Sequence, residues 1–390
     1  MDESLPVLSP APSLRRLFLA FLRLGLTAFG GPAMIAYIRE LAVGREKWLT
    51  KENFQGGVAL CQMIPGATAM QVAAYVGLRT CGVRGAVVSY VGFALPAFVL
   101  MLLLSVFYSR THSLPAVVAV FSGLQALIVA VVANATFSFG RSTLTDWRQG
   151  LIALLAATLF RLQAHPLLIL LFAALLGLAL RGKGMKKKQP VLSELAGGLL
   201  PLAGFLLLAG VALALLVFSR PELARLAVLM VKIDLVAFGG GFASVPFMYH
   251  EIVEVRSWLT GSTFLDGIAL GQFTPGPIVI TATFVGYLLH GLAGALVATV
   301  AIFSPSLFLV IGIVPYFSRL HSLPWFNRTI SGVLASFVGL LATVTIHFAL
   351  QVHWDWIHSV LAIAAFLALL KKVDILWVIG VGVVLSFLFC

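Results

Sequence analysis

Residues 28 to 32 read Ala28-Phe29-Gly30-Gly31-Pro32, and 209 positions later the chain reads Ala237-Phe238-Gly239-Gly240-Gly241. Neither stretch is good continuous helix, because Gly costs about 1 kcal/mol relative to Ala in a helix interior and Pro removes a backbone donor. Both nevertheless lie within long apolar runs. The same offset joins His112-Ser113-Leu114-Pro115 to His321-Ser322-Leu323-Pro324. Between these landmarks an offset of 210 joins Trp48-Leu49-Thr50 to Trp258-Leu259-Thr260, and Gln62, Pro65 and Gly66 to Gln272, Pro275 and Gly276. Four-residue identities in one register across most of each half identify an internal duplication.

The surroundings of the repeat are lipid-like. Of 390 residues, 61% are hydrophobic and 10% charged, with a mean hydropathy of +1.06. A soluble domain carries about a quarter charged residues, and a disordered chain would not contain 29 Phe. Apolar runs predict spans near 14–38, 53–78, 85–108, 116–138, 149–161, 165–181 and 195–218, then 223–249, 263–290, 292–317, 325–350, 357–370 and 373–389. The fold class expected is an all-α polytopic membrane protein of about thirteen transmembrane helices with broken helices in two repeats. A tail at 1–13 precedes the first repeat, 14–181; a basic linker and unpaired helix at 182–222 precede the second, 223–390. An even number of spans per copy plus one unpaired span makes the repeats inverted. The sequence leaves open whether 53–78 and 263–290 cross once or turn back as re-entrant hairpins.

The net charge of +12 is orientation information here. With the N-terminus in the cytoplasm, Arg15, Arg16, the Lys186-Lys187-Lys188 run and Arg256 fall inside, Arg39, Arg45, Lys47 and Arg225 outside, and the overall positive-inside ratio is two to one. The expected location is the cytoplasmic (inner) membrane, with the C-terminus at Cys390 periplasmic or extracellular. The lysine run also faces anionic lipid. Cys61, Cys81 and Cys390 are too dispersed for a disulfide framework or metal site, no cofactor motif is present, and the first helix carries no cleavage signal.

Two cations fall inside spans. Arg23 is roughly 14 Å into the first, near mid-membrane, and Lys232 is its repeat partner. Such charges cost a few kcal/mol at least and normally face a partner or a water-filled cavity. Each precedes its glycine pair by seven residues, two turns on one helix face, so cation and break line one cavity. Broken helices free backbone N–H groups that attract an anion. The breaks at Phe29, Gly30, Gly31, Pro32 and at Phe238, Gly239, Gly240, Gly241 therefore form the candidate substrate site. So do the second breaks at Pro65-Gly66 and Pro275-Gly276, with Gln62 and Gln272 as amide donors.

Acids break the symmetry. Asp234 replaces Gly25 and Asp266 replaces Gly56. Asp234 reads either as a proton carrier or as a counter-ion for Lys232 or Arg23; Asp266 reads as wet, near a span end. Glu40, Glu251, Glu254 and Arg256 read as solvated loop charge, and His112 and His321 as turn caps.

FGGP, its FGGG counterpart, WLT and QxxPG together resemble the chromate ion transporter family, over nearly the whole chain. The resemblance implies export of chromate from the bacterial cytoplasm, driven by the membrane potential or proton gradient, with no enzymatic activity. Gly241 in place of Pro32 loosens the element in the second half. The residues alone speak for an oxyanion and leave sulfate open, since it has the same shape and charge. An intramembrane enzyme or lipid-handling protein lacks a repeated nucleophile or paired-acid constellation, and a channel would show flux set only by the substrate's gradient. Expected partners are chromate or sulfate, membrane lipid and a second copy of the chain as a homodimer, with no nucleic acid.

Overall fold

The computed structural model describes residues 9–29, 31–180, 199–314 and 323–389. Gly30, the basic run 181–188, His321 and Cys390 lie outside the described residues. The described chain is all-helical. In the first half, α1 (Leu14–Thr27) leads to α2 (Gly31–Arg39), which continues as a π-helical turn, Glu40–Arg45. Then come α3 (Lys51–Cys61), α4 (Thr68–Thr111), α5 (Pro115–Thr143), α6 (Trp147–Arg161) and α7 (Pro166–Ala179). After the unpaired α8 (Leu199–Ser219), the second half repeats the pattern. It consists of α9 (Pro221–Val236), α10 (Ser244–Tyr249) with the π-helical turn His250–Val255, α11 (Gly261–Phe273), α12 (Thr281–Ile313), α13 (Pro324–Gln351), α14 (Trp356–Leu370) and α15 (Ile375–Phe389).

Five described helices, α4, α5, α8, α12 and α13, are long and apolar enough to cross a membrane. Large apolar side chains such as Leu103, Phe107, Leu207 and Val300 cover their outer faces, more than half exposed. The first two segments of each half, expected as broken helices, fold back. Arg16 at the start of α1 pairs with Glu46 at 2.7 Å, although a continuous helix would separate them by roughly 45 Å. Lys232 pairs with Glu251 at 2.6 Å across a helical distance of roughly 28 Å. The chain therefore reverses between α1 and the turn after α2, and between α9 and the turn after α10.

The second break reverses it again. A Cβ on Gly57 would collide with the Tyr75 ring, and one on Gly271 would stand 3.1 Å from Thr281 Oγ1. Tyr75 also donates its hydroxyl to Asn53 O at 3.0 Å. These contacts close α3 and α11 onto the helices that follow, so 53–78 and 263–290 form helical hairpins with Pro65-Gly66 and Pro275-Gly276 at their tips. A third reversal lies within α4 at Cys81–Gly82 and within α12 at His290–Gly291. There the arms run antiparallel, with Ser89 Oγ donating to Ala73 O at 2.8 Å and Thr283 meeting Thr299 at 2.7 Å.

The halves interlock. α5 packs on α14 and α15 of the other half, α13 packs on α6 and α7, and α5 and α13 cross each other. Small residues permit the close approach that association in lipid requires. Gly123 faces Ser386, and the repeat-equivalent pair, Gly332 and Gly177, faces in the same way. Polar contacts obey the same reciprocity: Ser122 Oγ pairs with His358 Nε2 at 2.8 Å, and Gln149 Nε2 donates to Ser331 Oγ at 2.7 Å. Gln149 and His358 each stand three residues past an N-cap aspartate, Asp146 or Asp355. Hydrogen bonds from the His358 backbone and ring hold the exposed Asp355 carboxyl below its ordinary range. Reciprocal contacts of this kind are what a twofold relation between the halves produces.

Candidate functional site

The two hairpin tips and the second glycine break meet at one place in the core. Gly66 N–H donates to Ala237 O at 2.8 Å, so the tip of the first half satisfies a carbonyl freed by the break of the second. Gly66 has φ +113°, and a Cβ there would collide with Ser306 Oγ and stand 3.1 Å from Asp234 Oδ2. Only glycine fits both the backbone and the space. The reciprocal contact sets Gly276, φ +131°, against Ala97, the repeat partner of Ser306. Around the break, a Cβ on Gly240 would lie 3.6 Å from Thr68 Oγ1, and one on Gly241 would lie 3.5 Å from Ile278 N. Thr68 opens α4, and Ile278 opens the short turn leading into α12. Two long helices thus begin beside the break, and their free N–H groups favour negative charge.

Asp234 lies in the middle of this arrangement and is fully buried. Its Oδ2 accepts from the Ser306 backbone N–H at 2.9 Å and from its hydroxyl at 2.7 Å, while Ser306 Oγ accepts from Ala67 N–H at 3.2 Å. Its Oδ1 has no partner among the described residues, nor has Gln71 Oε1 or Gln272 Nε2. Gln71 donates through Nε2 to Pro65 O at the hairpin tip. The carboxylate therefore sits where backbone N–H and hydroxyl groups would hold an oxyanion's oxygen, with a second oxygen and a buried amide still open.

The cations stand apart from Asp234. Lys232 Nζ bonds Glu251 and lies 3.3 Å from His165 Nε2, and Glu251 also takes Arg256. Arg23 is exposed on α1 and has no side-chain partner among the described residues. Neither cation is the counter-ion of Asp234, which corrects that reading. Gln272 is half-buried at the hairpin tip, whereas its repeat partner Gln62 is exposed. Phe29 and Phe238 are half-buried beside their breaks, and Pro65 and Pro275 are buried in the tips.

Other acids read as wet are not. Asp266 is 7% exposed and accepts from Tyr108 Oη at 2.7 Å and Gln125 Nε2 at 2.8 Å. Glu251 is buried between Lys232 and Arg256, and Glu254 pairs with His250 at 2.8 Å and His347 at 3.2 Å. Glu40 does remain exposed. The fold-back explains the difference, since it carries the π-helical turn alongside α9. His112 caps α4, its Nδ1 lying 3.2 Å from Tyr108 O. Sequence reasoning missed Gln71, Ser306, His165 and Tyr108, and only Ser306, next to an intrahelical Pro305, carried a local signal.

Two stretches of the chain, 15–178 and 224–387, match the model of the family described as chromate transporter. The chain belongs to the chromate transporter family. Among its relatives is a protein named as an uncharacterized transporter in Methanocaldococcus jannaschii, 40% identical over 97% of this chain and 94% of that one. The chromate transport protein of Cupriavidus metallidurans is 31% identical over 93% of this chain and 89% of its own. A Bacillus subtilis transporter is 29% identical over 41% of this chain and 93% of its own, so it has the length of one repeat. No solved structure matches. As a chromate transporter family member with long apolar helices, the chain is a multi-pass membrane protein that moves an ion, and a transporter family is not an enzyme family.

Proposed function

We propose that this transporter exports a tetrahedral oxyanion across the cytoplasmic membrane, with chromate as the substrate and the membrane potential or proton gradient as the drive. The observation that carries the reading is the meeting of both Pro-Gly hairpin tips with the Gly239–Gly241 break around Asp234, where two long helices begin. In this site N–H groups and the Gln272 amide take the oxyanion, as in other transporters with discontinuous helices. Arg23 is the main cation: it has no carboxylate partner among the described residues, whereas Glu251 already neutralises Lys232. Lys232 is the second, reaching the site when its pair with Glu251 opens. The name of the Cupriavidus relative supports chromate, and the equal shape and charge of sulfate keep it as the second substrate.

Asp234 couples transport to protons. While ionised it occupies the Ser306 donors, and once protonated it releases them to the substrate. The halves lie inverted, with the N-terminus cytoplasmic and Cys390 outside. Each half crosses an even number of times whether the α6–α7 and α14–α15 pairs cross or turn back, so α8 inverts the second copy. The fold-back also moves Arg45 and Lys47 to the N-terminal side and Arg256 to the opposite one, raising the positive-inside bias above two to one. The repeats are assigned to 14–181 and 223–390, joined by 182–222.

Uptake of labelled chromate and labelled sulfate into inside-out vesicles, with and without an imposed pH gradient, tests the reading. Saturable uptake of chromate that responds to potential or pH gradient is expected. Absence of uptake of either anion under every gradient, with the protein present in the membrane, overturns it.

A further inference from the structure

A cleft of about 460 Å³ opens between α8 and α9, and three cations line it: Arg225, Lys232 and Arg256. Its remaining wall is apolar, with Val217, Pro221 and Val228. Glu251 is the carboxylate that serves this corner, and it is already shared between Lys232 and Arg256. Arg225 is exposed, one turn into α9, and no carboxylate pairs with it among the described residues.

The repeat shows what this corner contains when it is complete. Arg225 is the repeat partner of Arg16, and Arg256 is the partner of Glu46. The correspondence holds in the backbone as well as the sequence, since the residues that follow, Lys47 and Ser257, share φ values of 51° and 49°. In the first half the two positions form an ion pair, Arg16 Nη2 to Glu46 at 2.7 Å. In the second half the carboxylate has become a guanidinium, and two like charges face one cleft. Like charges in a low-dielectric wall repel unless an anion lies between them, and forked guanidinium groups match the oxygens of a tetrahedral oxyanion.

We propose that this cleft binds a tetrahedral oxyanion, either a free sulfate-type anion or the phosphate of an anionic lipid, in the place that the Glu46 carboxylate holds in the first half. Arg225 and Arg256 grip the anion, and the apolar wall accepts an acyl chain when the source is lipid. The cleft shares Lys232 with the proposed transport site, but the grip belongs to Arg225 and Arg256, so its test does not depend on what that site transports.

The test uses the full chain in phosphatidylcholine nanodiscs with labelled sulfate, comparing wild type, Arg225→Gln, Arg225→Glu and Arg23→Ala. Arg225→Gln is expected to weaken one class of sulfate binding by at least about tenfold, the loss of one charged fork. Arg225→Glu, which restores a carboxylate opposite Arg256, is expected to abolish that class while Arg23→Ala leaves it intact. In a second arm the protein is purified from phosphatidylglycerol-containing membranes and the retained lipid is counted by native mass spectrometry. Loss of retained phosphatidylglycerol in Arg225→Glu, with sulfate binding unchanged, supports the site and assigns its occupant as lipid. Sulfate binding and lipid retention both unaffected by either Arg225 variant overturn the proposal.

Discussion

Thr136 and Thr345 touch each other, hydroxyl to hydroxyl at 3.2 Å, and they are the same position of the two repeats, 209 residues apart. A residue can meet its own repeat partner only near the axis that relates the halves. Four residues further along α5, a Cβ on Gly140 would lie 3.3 Å from Val338, which is seven residues back along α13. Moving forward on one helix therefore means moving backward on the other. The two helices run antiparallel, which is the arrangement that the proposed inversion of the two copies requires.

This relation predicts opposite labelling of equivalent turns. Cysteines placed singly at Thr145 and Trp354, both exposed and 209 residues apart, should react with an impermeant maleimide from opposite faces of the membrane. Labelling from one face would mean that the axis runs along the membrane normal.

Glycine at the first hairpin tip is required for space as well as for backbone conformation. Gly66→Ala should cost about 1–3 kcal/mol and lower the melting temperature of the purified protein. Because the added methyl meets Ser306 Oγ, Ser306→Ala should recover part of that loss in the double variant, in a cycle read by thermal unfolding. Independent, additive losses would remove the proposed contact.

Glu251→Gln leaves Lys232 and Arg256 without their carboxylate. With Lys232 about one-third exposed, water screens part of the penalty, and a loss of about 1–3 kcal/mol is expected in denaturant unfolding. Lys232→Gln in the same background should return much of it, since the unpaired cation is then gone.

Arg23 is exposed and no hydrogen bond or ion pair holds its side chain among the described residues, so Arg23→Ala should change stability by less than about 0.5 kcal/mol while abolishing vesicle transport. Arg23→Lys should restore little, because an ammonium lacks the bidentate fork. Normal transport by Arg23→Ala would remove it from the site.

Asp234→Asn keeps the shape and a hydrogen-bond acceptor toward Ser306 but carries no exchangeable charge. Counterflow exchange of labelled anion should persist, while acceleration of net flux by a pH gradient disappears. Export of a dianion is already favoured by about 2.3 kcal/mol per charge per 100 mV of inside-negative potential, so potential-driven flux should survive. A variant that still responds to the pH gradient would return Asp234 to a structural role.

The amino-acid sequence by itself determined the solvent, the secondary structure, the duplication, the breaks and the family resemblance. Hydropathy is a sum over neighbours in the chain, Gly and Pro act on their own backbone, and a repeat is visible as identity at one offset. The tertiary structure decided direction and partnership. A break states that a helix stops but not the angle at which the next begins, so 14–38 and 223–249 read as spans until Arg16 met Glu46 and Lys232 met Glu251. Partners of buried charge come from far along the chain: Asp266 finds Tyr108 at a separation of 158 residues, and Asp234 finds Ser306 at 72. No window or periodicity spans such distances. Whether an acid is wet or buried is a property of the elements packed against it, which for Asp266 belong to the other half and for Asp234, Glu251 and Glu254 come mainly from their own half.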